Sequence, residues 1–188
     1  MDSEKHWTRL KLKTLKLLNI KKKHPKIVFK KFIGMQSGVL FKKILGIKLY
    51  KVHKNKIIAE YKKLKLNYKI CTTLNPHIKK ILSHIRIEKA IVSNNDKTII
   101  MKHLKYHKIN KFFINKNIIS YKDLGASKPS PLGYKLILRI LKCNKNEVLV
   151  IEDSLSGIKA AKAAGIVNIL QYKKKSDLTF KKIIRRIS

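Results

Sequence analysis

Acidic side chains are scarce in this sequence, so the position of each one is informative. Among 188 residues, 10 Asp and Glu stand against 46 Lys and Arg. Two of the ten, Glu152 and Asp153, are adjacent and directly follow the apolar run 148–151. Adjacent carboxylates at the end of a strand can hold Mg²⁺, which prefers oxygen ligands. The spacing alone also allows Asp153 and Ser154 simply to cap the following helix.

A second set of polar groups follows another apolar run. Ser93 ends the segment 89–93, and Asn94 and Asn95 follow it before a predicted helix. Hydroxyl, amide and free backbone N–H groups at a helix start suit a phosphate, although the same residues can serve as an N-cap. Lys128 lies in a loop that flanking prolines stiffen, so its ammonium group could be directed at an anion. Considered alone, it is more typical of a solvated loop lysine.

Other reactive side chains show no chemical pattern. His103 and His107 are four residues apart, but the catalytic glutamate of H-E-x-x-H is absent, so we expect a solvated helix face and no zinc site. Cys71 and Cys143 lie far apart and outside any C-x-x-C motif, which gives no support to a disulfide framework. The simplest compartment is therefore a reducing cytoplasm.

The elements that must position these groups alternate after residue 88. Short β-branched runs alternate with helical patterns, which is typical of βαβ units and a parallel sheet. Because the carboxyl ends of parallel strands share one edge, the polar groups above are expected to converge there. The segment before residue 73 shows helical spacing and no strand alternation. The predicted strands are 89–93, 117–120, 147–151 and 167–170, and the first core helix is predicted over 98–107 with Ile100, Met101, Leu104 and Tyr106 inward.

The net charge of +36 suggests a polyanion partner, but its distribution does not. Lysine occurs throughout the chain together with Ile and Asn, and the codons of all three are rich in A and T. Mutational drift in an AT-rich genome therefore explains the abundance of these three residues. Recognisable nucleic-acid modules are missing, and we expect only adventitious, salt-sensitive binding to polyanions. No apolar run approaches the roughly 20 residues of a membrane helix, and no signal peptide is apparent.

Three motifs resemble those of the haloacid dehalogenase superfamily, specifically its capped, β-phosphoglucomutase-like phosphatases and phosphomutases. I-V-S-N at 91–94 resembles the second motif of that family, and S-K-P-S-P at 127–131 resembles the third. V-I-E-D-S-x-x-G-x-x-A-A-x-A-A-G at 150–165 matches the fourth motif nearly in full. The resemblance extends over roughly residues 25–172, because F-K-K-F-I-G-M at 29–35 is similar to the cap segment.

The resemblance implies both a fold and a function. The fold would be an α/β, Rossmann-like parallel core over 73–188, with a helical cap over 8–72 and residues 1–7 as a remnant of the start of the core. Ser93 and Asn94 would bind the phosphoryl group, Lys128 would neutralise it as a catalytic residue, and Glu152 and Asp153 would hold Mg²⁺. The implied partner is a small phosphorylated metabolite, such as a sugar phosphate like 6-phosphogluconate, bound by a cytoplasmic monomer.

One motif of the family is absent. Its chemistry starts with D-x-D-G at the end of a central strand, and no D-x-D occurs in these 188 residues. The opening M-D-S-E-K-H-W is similar to the sequence that follows that motif. We therefore expect a sheet without its first strand, a weakened Mg²⁺ site and no activity of the chain as given. The alternatives are a catalytically dead remnant that binds phosphate compounds, or a basic nucleic-acid-binding protein.

Overall fold

The computed structural model describes residues 4–20, 37–70 and 72–187. The chain divides into two compact units, Met1–Thr73 and Leu74–Ser188. In the described residues, no helix is long and apolar enough to cross a membrane.

The first unit is helical. It contains α1 (Glu4–Leu17), α2 (Ser37–Leu45) and α3 (Ile47–Leu66), and α3 packs against both other helices. Gly46 joins α2 to α3 with φ near +79°, a backbone conformation that favours glycine. The cap-like segment 29–35 lies outside the described residues, and the role of this unit as a cap stays a prediction. Its core consists of Leu15, Ile20, Leu40, Phe41, Ile44, Leu45, Tyr50, Ile57 and Tyr61.

The second unit alternates helices and short strands. Its elements are α4 (His77–His84), β1 (Ile91–Ser93), α5 (Lys97–Tyr106), β2 (Ile118–Ser120), α6 (Leu132–Leu141), β3 (Val150–Glu152), α7 (Leu155–Ala163), β4 (Ile169–Gln171) and α8 (Phe180–Ile187).

The strands form two separate parallel pairs. β1 pairs with β2 from Ile91↔Ile118 to Ser93↔Ser120, and β3 pairs with β4 from Val150↔Ile169 to Glu152↔Gln171. Among the described strands, β1 and β3 do not pair with each other. The α/β class and the parallel pairing predicted from the sequence are confirmed, while each strand is shorter than its predicted segment or displaced from it.

Helices pack on these strands in two layers. On one face, α6 packs against β1 and β2, α7 packs against β3 and β4, and the two helices contact each other. The small side chains of Ala160 and Ala161 are fully buried and allow α7 to approach closely. A second apolar cluster joins α4 and α8 through Ile81, Ile85, Leu178 and Ile183, with Leu149 and Leu170 packed against it.

The face of α5 differs from its prediction. His103 is buried, whereas Tyr106 is exposed to 59% of its surface, so the helix presents a different side to the core. Ile99 is also buried beside the expected Ile100 and Leu104. The expectation that His103 lies on a solvated face is therefore wrong.

Candidate active site

The predicted site residues meet at the carboxyl ends of β1 and β3. β1 ends at Ser93 and is followed by Asn94, and β3 ends at Glu152 and is followed by Asp153. Lys128 comes from the loop between β2 and α6 and links the two ends through hydrogen bonds. This edge is where open α/β sheets bind ligands.

Lys128 and Glu152 form a buried ion pair. The ammonium Nζ lies 2.5 Å from Glu152 Oε2, and only 9% of each side chain is exposed. Burial alone raises the pKa of Glu152, but the charge and hydrogen bond of Lys128, together with bonds from Ser154, outweigh it and hold the pKa below its usual value. Glu152 is therefore ionised at neutral pH, and Lys128 is not the solvated loop lysine that its sequence context alone favours.

Tyr134 completes this buried cluster and was missed by the sequence analysis. Its hydroxyl donates to Glu152 Oε2 at 3.1 Å, and the Lys128 ammonium lies 5.2 Å from its ring centroid. Burial, followed by the Glu152 charge, raises the pKa of Tyr134, so the phenol keeps its proton. Tyr134 and Ile137 are three residues apart on one side of α6, and that spacing was the available signal.

Asn94 fixes the loop that carries Lys128. Its Oδ1 accepts the Lys128 backbone N–H at 2.7 Å, and its Nδ2 donates to the Lys128 carbonyl at 3.4 Å. The neighbouring Ser93 Oγ accepts the Asn95 N–H at 3.1 Å, in a short turn before α5. Asn94 thus hydrogen-bonds to both backbone groups of Lys128. The Ser93 hydroxyl can donate its proton to an acceptor.

Ser154 connects the carboxylate to the start of α7. Its hydroxyl donates to Glu152 Oε1 at 2.8 Å and accepts the Gly157 N–H at 3.0 Å, which makes it the N-cap. Glu152 Oε1 also accepts the backbone N–H groups of Asp153 and Ser154. Ser154 therefore caps the helix, whereas the assignment of the acidic pair at the strand end to Mg²⁺ stays a prediction.

Asp153 is in a different environment from its neighbour. The residue as a whole is exposed, but nearby protein atoms partly desolvate its carboxyl group, and this raises the pKa of Asp153. The adjacent Glu152 charge raises that pKa further. Because both oxygens of Glu152 already accept bonds, Asp153 is the carboxylate better able to ligate a cation. Within the described ranges, no three His, Cys, Asp or Glu side chains form a metal-binding group. A single carboxylate ligand, Asp153, is compatible with Mg²⁺, because proteins commonly bind this ion through one or two carboxylates together with substrate phosphates and waters.

Gly157 has no room for a side chain because Glu152 lies against it. A Cβ built there would overlap the carboxyl group of Glu152. We expect Gly157→Ala to lower the free energy of unfolding by about 1–3 kcal/mol, the usual cost of overpacking. Urea unfolding of the variant measures this change.

Gly38→Ala is the matched control for that substitution. A Cβ at Gly38 lies at an ordinary 3.4 Å from the Tyr50 hydroxyl, and the position is helical. The free energy of unfolding of Gly38→Ala should equal that of the parent chain or be slightly higher. Equal stability of Gly157→Ala and the parent chain would contradict the close approach of Glu152 to α7.

Comparisons with known proteins identify the family of this chain. A family model described as haloacid dehalogenase-like hydrolase matches residues 1–170. The phosphorylated carbohydrates phosphatase of Thermotoga maritima is 31% identical over 99 residues, which are 50% of this chain and 44% of that protein. The match therefore spans less than half the length of this curated relative.

Solved structures share the fold at low sequence identity. A haloacid dehalogenase-like hydrolase from Bacteroides fragilis superposes with a TM-score of 0.76 at 23% identity, covering 98% of this chain and 87% of that one. A HAD hydrolase of family IA, variant 3, from Entamoeba histolytica gives a TM-score of 0.71 at 16% identity, covering 96% and 91%. A protein assigned as a β-phosphoglucomutase from Thermotoga maritima gives a TM-score of 0.58 at 21% identity, covering 100% of this chain and 87% of that one. These likenesses show the fold, and the family model, whose match extends over most of the sequence, shows that the chain belongs to the haloacid dehalogenase-like hydrolase family, as its motifs predict.

Proposed function

We propose that this chain carries the phosphate-handling site of a phosphatase for small phosphorylated carbohydrates. The observation that carries the proposal is the buried Lys128, which Asn94 and Glu152 hold at the carboxyl ends of two parallel strands. A fixed ammonium group beside a helix start favours a phosphoryl group. The curated Thermotoga maritima relative, a phosphorylated carbohydrates phosphatase, supports the same substrate class.

Each residue has a proposed role. The Ser93 hydroxyl and the Lys128 ammonium bind phosphoryl oxygens, and Asn94 contributes by holding the Lys128 backbone in place. Glu152 orients Lys128 and adds negative charge to a cation site at which Asp153 is the direct ligand. Bound Mg²⁺ would supply charge neutralisation for the phosphate. In this proposal Glu152 contributes to the metal site through its charge, and Asp153 contributes through direct ligation.

We further propose that the 188 residues bind phosphate compounds without turning them over. Chemistry through a phosphoaspartate needs an aspartate nucleophile and an acid/base, and no D-x-D segment occurs in these 188 residues. The proposed partner is a small phosphorylated metabolite, bound in the cytoplasm by a monomer. No described residue contact favours a specific nucleic-acid function.

Inorganic phosphate tests the binding site directly. The titration is followed by amide chemical shifts in 0.5 M NaCl, because screening suppresses nonspecific binding to a chain of charge +36. We expect saturable shifts at Ser93, Asn95 and Lys128, with affinity about 10-fold weaker in Ser93→Ala, the loss expected for one hydrogen bond to a charged group.

Ser83→Ala is the matched control for the titration. Ser83 is exposed on α4, and its hydroxyl bonds to the Lys80 carbonyl within the same helix. This variant should bind phosphate as the parent chain does. Shifts spread evenly over the lysine-rich surface, with no effect of Ser93→Ala, would contradict the proposed site.

A further inference from the structure

Tyr134 and Lys128 donate to the same oxygen atom of Glu152. The Lys128 ammonium lies 2.5 Å from Oε2, and the Tyr134 hydroxyl donates to that oxygen at 3.1 Å. The other oxygen, Oε1, accepts the backbone N–H groups of Asp153 and Ser154 and the Ser154 hydroxyl. An ionised carboxylate has about four acceptor positions, so these donors occupy the whole group. Glu152 can therefore neither rotate nor accept a further hydrogen bond without losing one of them.

The ring of Tyr134 lies against a second side of the Lys128 ammonium. Nζ is 5.2 Å from the ring centroid, within the roughly 6 Å range of a cation–π interaction. An ammonium group has three N–H donors, and among the described residues Glu152 Oε2 is the one oxygen that accepts from this ammonium. The carboxylate and the ring thus fix two directions around Nζ and leave N–H donors for an anion on the remaining side.

Tyr134 is itself held by rigid elements. Only 6% of its surface is exposed, and its side chain lies in an apolar cluster with Val150 of β3 and Ala160 of α7. At the preceding residue, Gly133, a Cβ would lie only 2.7 Å from Val92 Cγ1 of β1, so α6 rests closely on that strand at this point. Close packing of this kind fixes the positions of the ring and of the hydroxyl.

The hydroxyl of Tyr134 is unsuited to proton transfer with a substrate. It is buried and donates its proton to Glu152, and burial together with the Glu152 charge raises the pKa of Tyr134. A general acid or base must come within hydrogen-bond reach of the reacting group and works best when its pKa is near the operating pH. A role that acts through Glu152 and Lys128 therefore fits this tyrosine better than a catalytic role.

We propose that Tyr134 is a positioning residue, which sets the direction in which the Lys128 ammonium presents its remaining N–H groups to a phosphoryl group. This inference rests on the phosphate site of the proposed function. The hydroxyl fixes Glu152 Oε2, the atom that anchors the ammonium, and the ring covers one side of Nζ. Without the hydroxyl, Oε2 has only the ammonium as a partner, so the carboxylate competes more strongly with the phosphoryl group for the Lys128 donors. Sites with precise geometry commonly depend on supporting contacts of this kind.

The ammonium signal of Lys128 tests this role without any ligand. Ammonium protons of exposed lysines exchange rapidly with water, whereas a buried, ion-paired group should give a resolved signal in a proton–nitrogen correlation spectrum. Lys128→Arg identifies that signal by its loss. Tyr134→Phe keeps the ring and removes only the hydroxyl, so it is expected to shift and broaden the Lys128 signal. Tyr106→Phe is the matched control, because Tyr106 is 59% exposed on α5, and it should leave the signal unchanged.

A high-salt titration with inorganic phosphate tests the consequence for binding. We expect Tyr134→Phe to bind phosphate about 5-fold more weakly than the parent chain, which is equivalent to one ordinary hydrogen bond, and Tyr106→Phe to bind equally well. Amide spectra check that both variants are folded. A purely structural tyrosine would affect the stability of the chain but would leave the Lys128 signal and the phosphate affinity of the folded protein unchanged. That result, or the absence of a protected Lys128 signal in the parent chain, would overturn the proposal.

The outcomes separate this inference from the proposed function. Absence of saturable phosphate binding by the parent chain would refute the proposed function, and with it the phosphoryl ligand of this site. Saturable binding that Ser93→Ala weakens and Tyr134→Phe does not would refute the role of Tyr134 alone.

Discussion

Glu152→Gln is expected to lower the free energy of unfolding by about 3–5 kcal/mol at pH 7, whereas Asp153→Asn is expected to raise it. The first change removes one charge of a buried pair and leaves the Lys128 ammonium without its partner, which is the costly case. The second removes a carboxyl whose ionisation is opposed by lost solvation and by the Glu152 charge. Two adjacent, nearly isosteric substitutions should therefore act in opposite directions.

The pH dependence of the two effects should also differ. Because the pKa of Glu152 is lowered by folding, its stabilisation is present above the unfolded value of about 4.3 and is lost as the pH falls through the folded value. Because the pKa of Asp153 is raised, its ionised form opposes folding at neutral pH, and this cost disappears below about pH 3.9. The loss in Glu152→Gln and the gain in Asp153→Asn should both shrink on acidification.

Urea unfolding between pH 3 and 7 measures both effects, and Glu88→Gln is the control. Glu88 is exposed, so its substitution should change stability by no more than about 0.5 kcal/mol. If Glu152→Gln and Asp153→Asn both destabilised the chain at pH 7 by similar amounts, the assignment of one structural and one exposed carboxylate would be wrong.

Local patterns in the sequence predicted the parts of the site that depend on neighbours in the chain. The acidic pair after an apolar run predicted Glu152 and Asp153 at a strand end, and Ser154 as a cap follows from its position before α7. Parallel pairing followed from the alternation of strands and helices.

Contacts between distant residues could not be derived in this way. The bonds of Asn94 to the Lys128 backbone join residues 34 positions apart, and nothing in either segment specifies them. Tyr134 is one apolar residue among several on α6, and its role in the site depends on a contact with Glu152, 18 residues away. The apolar run 147–151 predicts a strand, but pairing with β4 decides that the ladder covers Val150 to Glu152.

Turnover measurements on an extended chain test the central claim most directly. The claim is that Ser93, Lys128, Glu152 and Asp153 serve a phosphatase whose nucleophile and acid/base come from a D-x-D segment. Acid/base assistance alone typically accelerates a reaction about 10²–10⁴-fold, so hydrolysis by a chain without it should be too slow to detect. The 188-residue chain should therefore show no Mg²⁺-dependent hydrolysis of sugar phosphates above background.

The extended chain carries a strand ending in D-x-D-G ahead of Met1 and should hydrolyse sugar phosphates in Mg²⁺. Replacing the first added Asp with Asn, or Asp153→Asn in the extended chain, should abolish that turnover, while Glu88→Gln should leave it unchanged. Hydrolysis by the unextended chain that Asp153→Asn removes would contradict the claim, because the nucleophile would then lie within these 188 residues.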